Sequence, residues 1–327
     1  MGRPRVYLTQ PVPETALRRL REVADVALNE DPLHEATPAE LSAGVRDSDV
    51  LFCLLHDKID ARVLASGPRL GLVASMAITP ANIDVAAATA RRIPVTVIPP
   101  LVTEATADVA MALVLAVARR VVQADRLVRA GIFPGAQSQF LVGGAVHGRT
   151  LGIVGLGDIG RAVARRARGF GMRILYMKRT RLSAAEEREL GVEWAPLPDL
   201  LRDADFVSVH AAQTPETHHL IGARELRLMK PTAYLVNTSR GSLVDEAALV
   251  TALRDGWIAG AGLDVYEHEP RVSPGLLELT NAVLLPHIGS ADRETREATA
   301  GVVVDNICAF LRGQRPPNVF NPEVYDA

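Results

Sequence analysis

At 327 residues and 48% hydrophobic, the chain is long enough for two ordinary domains, and a net charge of −2 gives no electrostatic case for nucleic acid or an anionic membrane surface. Two cysteines, Cys53 and Cys308, make no disulfide framework, and no Cys/His spacing suggests a zinc site, so no metal is expected. The longest apolar run, residues 109–118, is too short to span a bilayer, and the N-terminal residues lack the apolar stretch of a secretory signal, so a cytoplasmic location is expected.

In chain order, the first hundred residues alternate strand and helix. Strands are predicted over 5–8, 26–28, 50–55, 70–76 and 94–97, and helices over 14–23, 37–45, 61–65 and 83–91. Thr37 with Glu40 has the spacing of a capping box. After Pro99-Pro100, apolar periodicity predicts one long helix over 104–130, stopped by Gly131 and Pro134. A glycine-containing loop (Gly143, Gly144, Gly148) follows. Further strands are predicted over 150–154, 173–177, 206–209, 233–236, 260–264 and 282–285, and a last helix over 293–312 ending at Gly313. This alternation implies parallel sheets covered by helices, with one βα domain placed inside another and ligand in the cleft between them. The boundaries expected are 1–100 plus 290–327 for the outer domain and 101–289 for the inserted one.

Gly155-Leu-Gly157-Asp158-Ile159-Gly160 stands between the strand over 150–154 and a helical stretch. A lone G-x-G-x-x-G can be a structural turn, but strand, glycine turn and helix together suit a dinucleotide pyrophosphate at a helix N-terminus. The next strand, over 173–177, would end in Asp or Glu if it held a ribose 2′-hydroxyl. It ends in Lys178-Arg179-Thr180-Arg181, where one of only three lysines in the chain stands. Cations and a hydroxyl suit a 2′-phosphate, so NADP(H) is preferred and NAD(H) remains possible.

Three polar residues follow strands of the inserted domain: Arg240, Glu269 and His287. Each alone could be a surface arginine, a loop carboxylate or a histidine at a strand end. Beside a nicotinamide they make a device for a keto acid. Arginine clamps a carboxylate, histidine supplies a proton near neutrality, and a carboxylate fixes the imidazole tautomer and favours its protonated form.

These residues resemble the D-isomer-specific 2-hydroxyacid dehydrogenase family over essentially the whole chain. The nucleotide loop, His210-Ala211-Ala-Gln-Thr-Pro-Glu-Thr217, Val236-Asn-Thr238-Ser239-Arg240-Gly241 with Val244-Asp-Glu246, Gly262-Leu-Asp264-Val-Tyr-Glu-His-Glu269-Pro270 and Pro286-His287-Ile-Gly289-Ser290 match its motifs in order and spacing. The resemblance implies two Rossmann-like doubly wound parallel-sheet α/β domains, the substrate domain being split around the dinucleotide-binding domain. It implies Arg240 as carboxylate clamp, His287 as acid/base and Glu269, rather than Glu267, as its partner. It puts Asp264 on the nicotinamide carboxamide with Thr106, His210, Ala211, Thr238, Ser239 and Gly289 on the cofactor side, and Leu55, Ile78 and Thr79 on the substrate. Members usually dimerise through the long helix, so a homodimer is expected.

Lys178-Arg179-Thr180, Cys53-Leu-Leu55-His-Asp57 and Thr103-Glu-Ala-Thr-Ala-Asp108 are similar to segments of glyoxylate/hydroxypyruvate reductases within that family. The departures lie mostly on the substrate side. The family's G-V-G-Y-D-N-I-D loop is here Ala77-Ile-Thr-Pro80-Ala-Asn-Ile-Asp84, the C-L-L-T-D threonine is His56, and the tryptophan that reductases carry after the long helix is absent. Pro80 removes one backbone N–H from that loop. The function expected is reduction of a small 2-keto acid, glyoxylate or hydroxypyruvate, by NADPH to the D-2-hydroxy acid. A larger substrate such as 2-ketogluconate is the alternative, and an NADP(H)-sensing corepressor is the reading from another class.

Overall fold

Thr37 takes the Glu40 N–H (3.3 Å) while Glu40 takes the Thr37 N–H (2.8 Å), so the capping box read from the sequence closes the start of its helix. The computed structural model describes residues 2–326. The chain divides into two compact units, one running up to Leu101 and resuming at Ala291, the other covering Val102–Ser290.

The first unit carries β1 (Arg5–Leu8), α1 (Glu14–Val23), β2 (Asp25–Leu28), α2 (Pro38–Arg46), β3 (Val50–Cys53), α3 (Ala61–Ser66), β4 (Leu72–Ser75), α4 (Val85–Ala90) and β5 (Val95–Thr96). The strands form a parallel sheet ordered β2-β1-β3-β4-β5. β3 and β4 are buried on both faces, which is why they read as continuous apolar runs. The helix Arg293–Leu311 returns to this unit, and the tail after it lies along the sheet edge. Val95 donates its N–H to Asn321 Oδ1 (2.7 Å) and Val97 to the Asn318 carbonyl (3.1 Å). An edge strand that would otherwise expose unpaired amides is thereby covered.

The second unit contains α5 (Thr103–Ala118), α6 (Val121–Arg129), β6 (Thr150–Val154), α7 (Asp158–Arg168), β7 (Arg173–Met177), α8 (Ala184–Leu190), β8 (Glu193–Trp194) and α9 (Leu197–Asp203). It continues through β9 (Phe206–Val209), α10 (Ala223–Leu226), β10 (Tyr234–Asn237), α11 (Glu246–Arg254), β11 (Gly260–Leu263), α12 (Pro274–Leu277) and β12 (Ala282–Leu284). Its parallel sheet is ordered β12-β11-β10-β9-β6-β7-β8, so strand order reverses between β6 and β9. Alternate residues feed two cores. Leu151, Ile153, Ile174 and Tyr176 pack with Leu113 and Val163 of α5 and α7, whereas Leu175, Val207 and Leu235 pack with Leu200 and Leu249 of α9 and α11. The sheet is therefore doubly wound. β8 went unpredicted because two exposed residues carry no periodicity.

The single helix expected over 104–130 is two helices. Arg120 adopts φ +56° between α5 and α6, in the left-handed region. The carbonyl of Ala118 accepts an N–H from Gly144 (2.9 Å), a residue beyond the reach of any local pattern. α5 buries nine residues, whereas α6 buries none. Among the described residues no helix is long and apolar enough to cross a membrane.

Candidate active site

Functional groups of the second unit collect at the carboxyl ends of its strands, beside the point where strand order reverses. Open α/β sheets bind ligand at that place. After β6, Gly155 has φ +96°, and a Cβ there would meet the Ala211 nitrogen at 2.4 Å. A Cβ on Gly160 would lie 2.4 Å from the Gly155 carbonyl oxygen, so that glycine brings α7 against its own turn. Gly157 differs, because nothing lies within 4 Å of a Cβ built on it. It caps α7 with no side chain over the first-turn N–H groups, while Asp158 and Ile159 begin the helix. A helix N-terminus left open in this way is suited to a phosphate.

Substitutions at the two glycines should therefore separate binding from folding. Gly160→Ala is expected to lower stability by about 2 kcal/mol through overpacking against backbone. Gly157→Ala is expected to melt like the parent but to weaken dinucleotide binding by roughly tenfold or more, since backbone approach to the pyrophosphate is lost. Calorimetry and a fluorescence titration check the pair, and equal melting-temperature losses at both sites would contradict it.

At the end of β7 the basic segment divides. Arg181 donates to Glu187 through Nε (2.8 Å) and Nη2 (2.9 Å), and Glu187 also takes the Tyr176 hydroxyl (2.7 Å). The Arg181 guanidinium, then the Tyr176 hydroxyl, hold the Glu187 carboxyl down at about 2. Arg181 is thus committed to α8, which leaves half-buried Lys178 with exposed Arg179 and Thr180 as the polar groups at the strand end.

After β9, His210 Nε2 lies 2.8 Å from Ser208 Oγ, while its Nδ1 is buried with no partner among the described residues; burial holds the ring down at about 4. The Thr238 hydroxyl is likewise buried and unpaired. Ser239 gives its hydroxyl to the Ala211 carbonyl (2.6 Å), and Thr106 gives its own to the Val102 carbonyl (2.8 Å). Thr106 flanks Gly289, with its methyl 3.4 Å from a Cβ built there. Buried polar groups are normally paired. The two unpaired atoms, with the open Gly157 turn, fit a polar cofactor lying along these strand ends.

Arg240 follows β10 on a turn held by Asn237. That side chain accepts the Ser239 N–H (3.0 Å) and donates to the Arg240 carbonyl (2.9 Å). Arg240 Nη1 donates to the Ser239 carbonyl (2.7 Å). Burial pushes the guanidinium pKa down and the Glu269 charge opposes that; an arginine keeps its charge in such a place.

His287 sits after β12 with φ +55°, and its Nδ1 lies 2.8 Å from Glu269 Oε2. The other Glu269 oxygen accepts the Tyr266 N–H (2.9 Å). Burial pushes the Glu269 carboxyl up, but the His287 hydrogen bond and charge, the Tyr266 N–H and Arg240 outweigh it, and the net direction is down. An ionised carboxylate only accepts, so His287 carries a proton on Nδ1 and keeps Nε2 for a substrate.

Asp264 is 1% exposed, and its two oxygens take the N–H groups of Ile288 and Gly289 at 2.7 Å each. It therefore clamps the turn that carries His287, a task the motif reading does not contain. Glu246 was missed as well. Its carboxylate takes the N–H groups of Glu267 (3.1 Å) and Ser273 (3.0 Å), bracing the loop around Glu269. A glutamate opening a helix reads as an ordinary first-turn acid, and its burial is invisible in sequence. Glu267 pairs with His219 at 2.6 Å and not with His287.

Leu55, Ile78 and Thr79 belong to the first unit, on loops after β3 and β4. Leu55 and Ile78 are half-buried and Thr79 is exposed. Asn82 ties the two loops together by donating to the carbonyls of Leu54 (2.9 Å) and Asp57 (2.7 Å).

Residues 111–289 match the family described as D-isomer specific 2-hydroxyacid dehydrogenase, NAD binding domain. The chain is 52% identical to a glyoxylate reductase of Korarchaeum cryptofilum, covering 98% of this chain and 97% of that one. It is 47% identical to a glyoxylate reductase of Thermococcus litoralis, covering 98% of each. Among solved structures it is similar to an NADPH-dependent glyoxylate/hydroxypyruvate reductase of Sinorhizobium meliloti in complex with NADP and malonate, with TM-score 0.79, 36% identity and 97% of each chain covered. The chain belongs to the D-isomer-specific 2-hydroxyacid dehydrogenases, oxidoreductases acting on the CH–OH group of their donors.

Proposed function

We propose that this protein reduces a small 2-keto acid, glyoxylate or hydroxypyruvate first, to the D-2-hydroxy acid with NADPH. The observation that carries the reading is the half-buried Arg240 cation after β10 together with a His287 fixed at Nδ1 by ionised Glu269. Arg240 binds the substrate carboxylate and draws electron density from the adjacent carbonyl. His287 donates from Nε2 to the forming alkoxide oxygen, and Glu269, bonded to Nδ1, fixes the orientation of the ring for that transfer. Gly157 and the α7 N-terminus hold the pyrophosphate, and the unpaired atoms of His210 and Thr238 face the same cofactor. The bound dinucleotide supplies the hydride. In the first unit, the substrate domain in this reading, Leu55, Ile78 and Thr79 on the loops after β3 and β4 are the residues assigned to substrate recognition.

The cofactor preference rests on Lys178, Arg179 and Thr180, with Arg181 excluded by its pairing to Glu187. The similarity to the NADPH-dependent reductase of Sinorhizobium meliloti supports it. Arg179→Asp is expected to raise KM for NADPH roughly tenfold, the worth of one charge-assisted hydrogen bond, and to leave KM for NADH within about threefold. The deciding measurement is the initial rate of NADPH and NADH oxidation with glyoxylate, hydroxypyruvate, pyruvate and 2-ketogluconate. Turnover with none of them would end the proposal. A preference for 2-ketogluconate would instead favour a wider substrate site, for which the Pro80-containing loop is the motive.

A homodimer is part of the same proposal. α6 buries no residue, and Val121, Val128, Ile132 and Phe133 on it and just after it are 51%, 58%, 49% and 78% exposed. A second copy of this chain would cover them. Sedimentation equilibrium at a monomer mass of 35.1 kDa would argue against it.

A further inference from the structure

We propose that His218, His219 and Glu267 form a binding site for a divalent transition metal of the zinc class, distinct from the Arg240–Glu269–His287 group. One ligand atom from each lies within 4.8 Å of the other two, and among the described residues it is the one place where three such side chains converge. No spacing reveals it, because Glu267 stands 48 residues beyond His219.

The backbone is arranged for this convergence. Neighbouring side chains of an extended segment point to opposite sides. His219 has φ +50°, in the left-handed region that a bulky residue enters only when its surroundings enforce it. The result is that the two imidazoles lie on one side, with ring centroids 4.0 Å apart and planes inclined by 31°. The His219 N–H donates to the Ser242 carbonyl (2.8 Å), which holds the kink. From the loop after β11, Glu267 brings Oε1 to 2.6 Å from His219 Nε2, while its Oε2 accepts the Glu246 N–H (3.3 Å) and so orients the carboxylate.

A bracing ion pair between His219 and Glu267 would account for the loop contact alone. It would not account for a second imidazole folded against the first and within reach of the same carboxylate. Two neutral imidazole nitrogens and one carboxylate oxygen suit Zn²⁺ and its neighbours Co²⁺, Ni²⁺ and Cu²⁺, whereas Mg²⁺ and Ca²⁺ prefer oxygen alone. A tetrahedral zinc site spaces its ligand atoms at about 3.3 Å, so zinc would displace the proton shared by His219 Nε2 and Glu267 Oε1 and widen that 2.6 Å pair, while a rotation of the exposed His218 ring brings in the third ligand atom. Glu267 is 15% exposed and His219 35%, so the site is anchored inside and open outside, with room for water as fourth ligand.

The test is equilibrium dialysis of the full chain against micromolar Zn²⁺ followed by metal analysis, on the parent, His218→Ala, Glu267→Gln and His287→Ala. The expected result is one zinc per chain in the parent and in His287→Ala, with affinity reduced at least tenfold in the other two. Because His218 is exposed, His218→Ala should melt like the parent without metal, which separates loss of a ligand from loss of the fold. Cobalt bound in place of zinc should give visible d–d absorption in the parent that His218→Ala lacks. Failure of the parent to retain zinc, an unchanged affinity in His218→Ala, or a loss confined to His287→Ala would each overturn the proposal.

Discussion

Replacing His287 by glutamine should lower kcat for the reduction by roughly 10²- to 10⁴-fold, the usual contribution of a positioned acid, and leave dinucleotide affinity nearly unchanged. Among the described residues the imidazole has no hydrogen bond to the Gly155–Gly160 turn. Its described hydrogen bond is Nδ1 to Glu269 at 2.8 Å, which leaves Nε2 for the substrate oxygen. Glutamine fills much of the same space but cannot deliver a proton near neutrality. The two functions should therefore separate cleanly in stopped-flow turnover and in fluorescence titration. A kcat within a factor of about three of the parent would remove His287 from the acid role.

Glu269→Gln is the companion variant. The carboxyl of Glu269 is held below its ordinary value of 4.5, so the native state favours its ionised form. A depressed carboxyl contributes stability that is complete above 4.5 and is lost as pH falls through the lower folded value. The acid limb due to this group in the pH profile of kcat/KM should accordingly lie below 4.5. The amide keeps the shape but removes the charge, and it can donate to Nδ1 and so favour the wrong imidazole tautomer. A fall in kcat of about 10²-fold is expected, with the acid limb below 4.5 abolished.

Gly241→Ala should be the most damaging single change to the fold of the site. A Cβ built on Gly241 would lie 1.8 Å from the Tyr266 carbonyl carbon and 2.3 Å from the Glu267 nitrogen. Both contacts are with backbone, so no rotamer relieves them. Either the turn bearing Arg240 or the segment leading to Glu269 has to move. Overpacking of this kind costs about 3 kcal/mol or more, which for a unit of this size lowers the melting temperature by roughly 6–12 °C. Arg240 and Glu269 would also lose their relative placement, so activity should fall further than melting alone explains. Scanning calorimetry together with kcat/KM on the folded fraction checks both parts. A parent-like melting temperature would show that the two segments are less constrained than their packing implies.

The local signals in this sequence are short-range, and they carried far. The run of Leu151 and Ile153 into the glycine turn and the capping pair Thr37–Glu40 each depend on residues a few positions apart. So does the placing of Arg240 and His287 just beyond strand ends, and spacing alone specifies relations of that length. Local periodicity could not distinguish one helix from two where Gly144, far along the chain, takes the carbonyl of Ala118 and lets Arg120 turn left-handed. It could not show that Arg181 is spent on Glu187, that Asp264 clamps the Ile288 and Gly289 amides, or that Glu246 braces the Glu269 loop. The partners of Glu267 and Glu269 are the plainest case. Two glutamates two residues apart face different histidines, 48 residues back and 18 residues on, because the side-chain hydrogen bonds available across folded loops decide which way each carboxylate points.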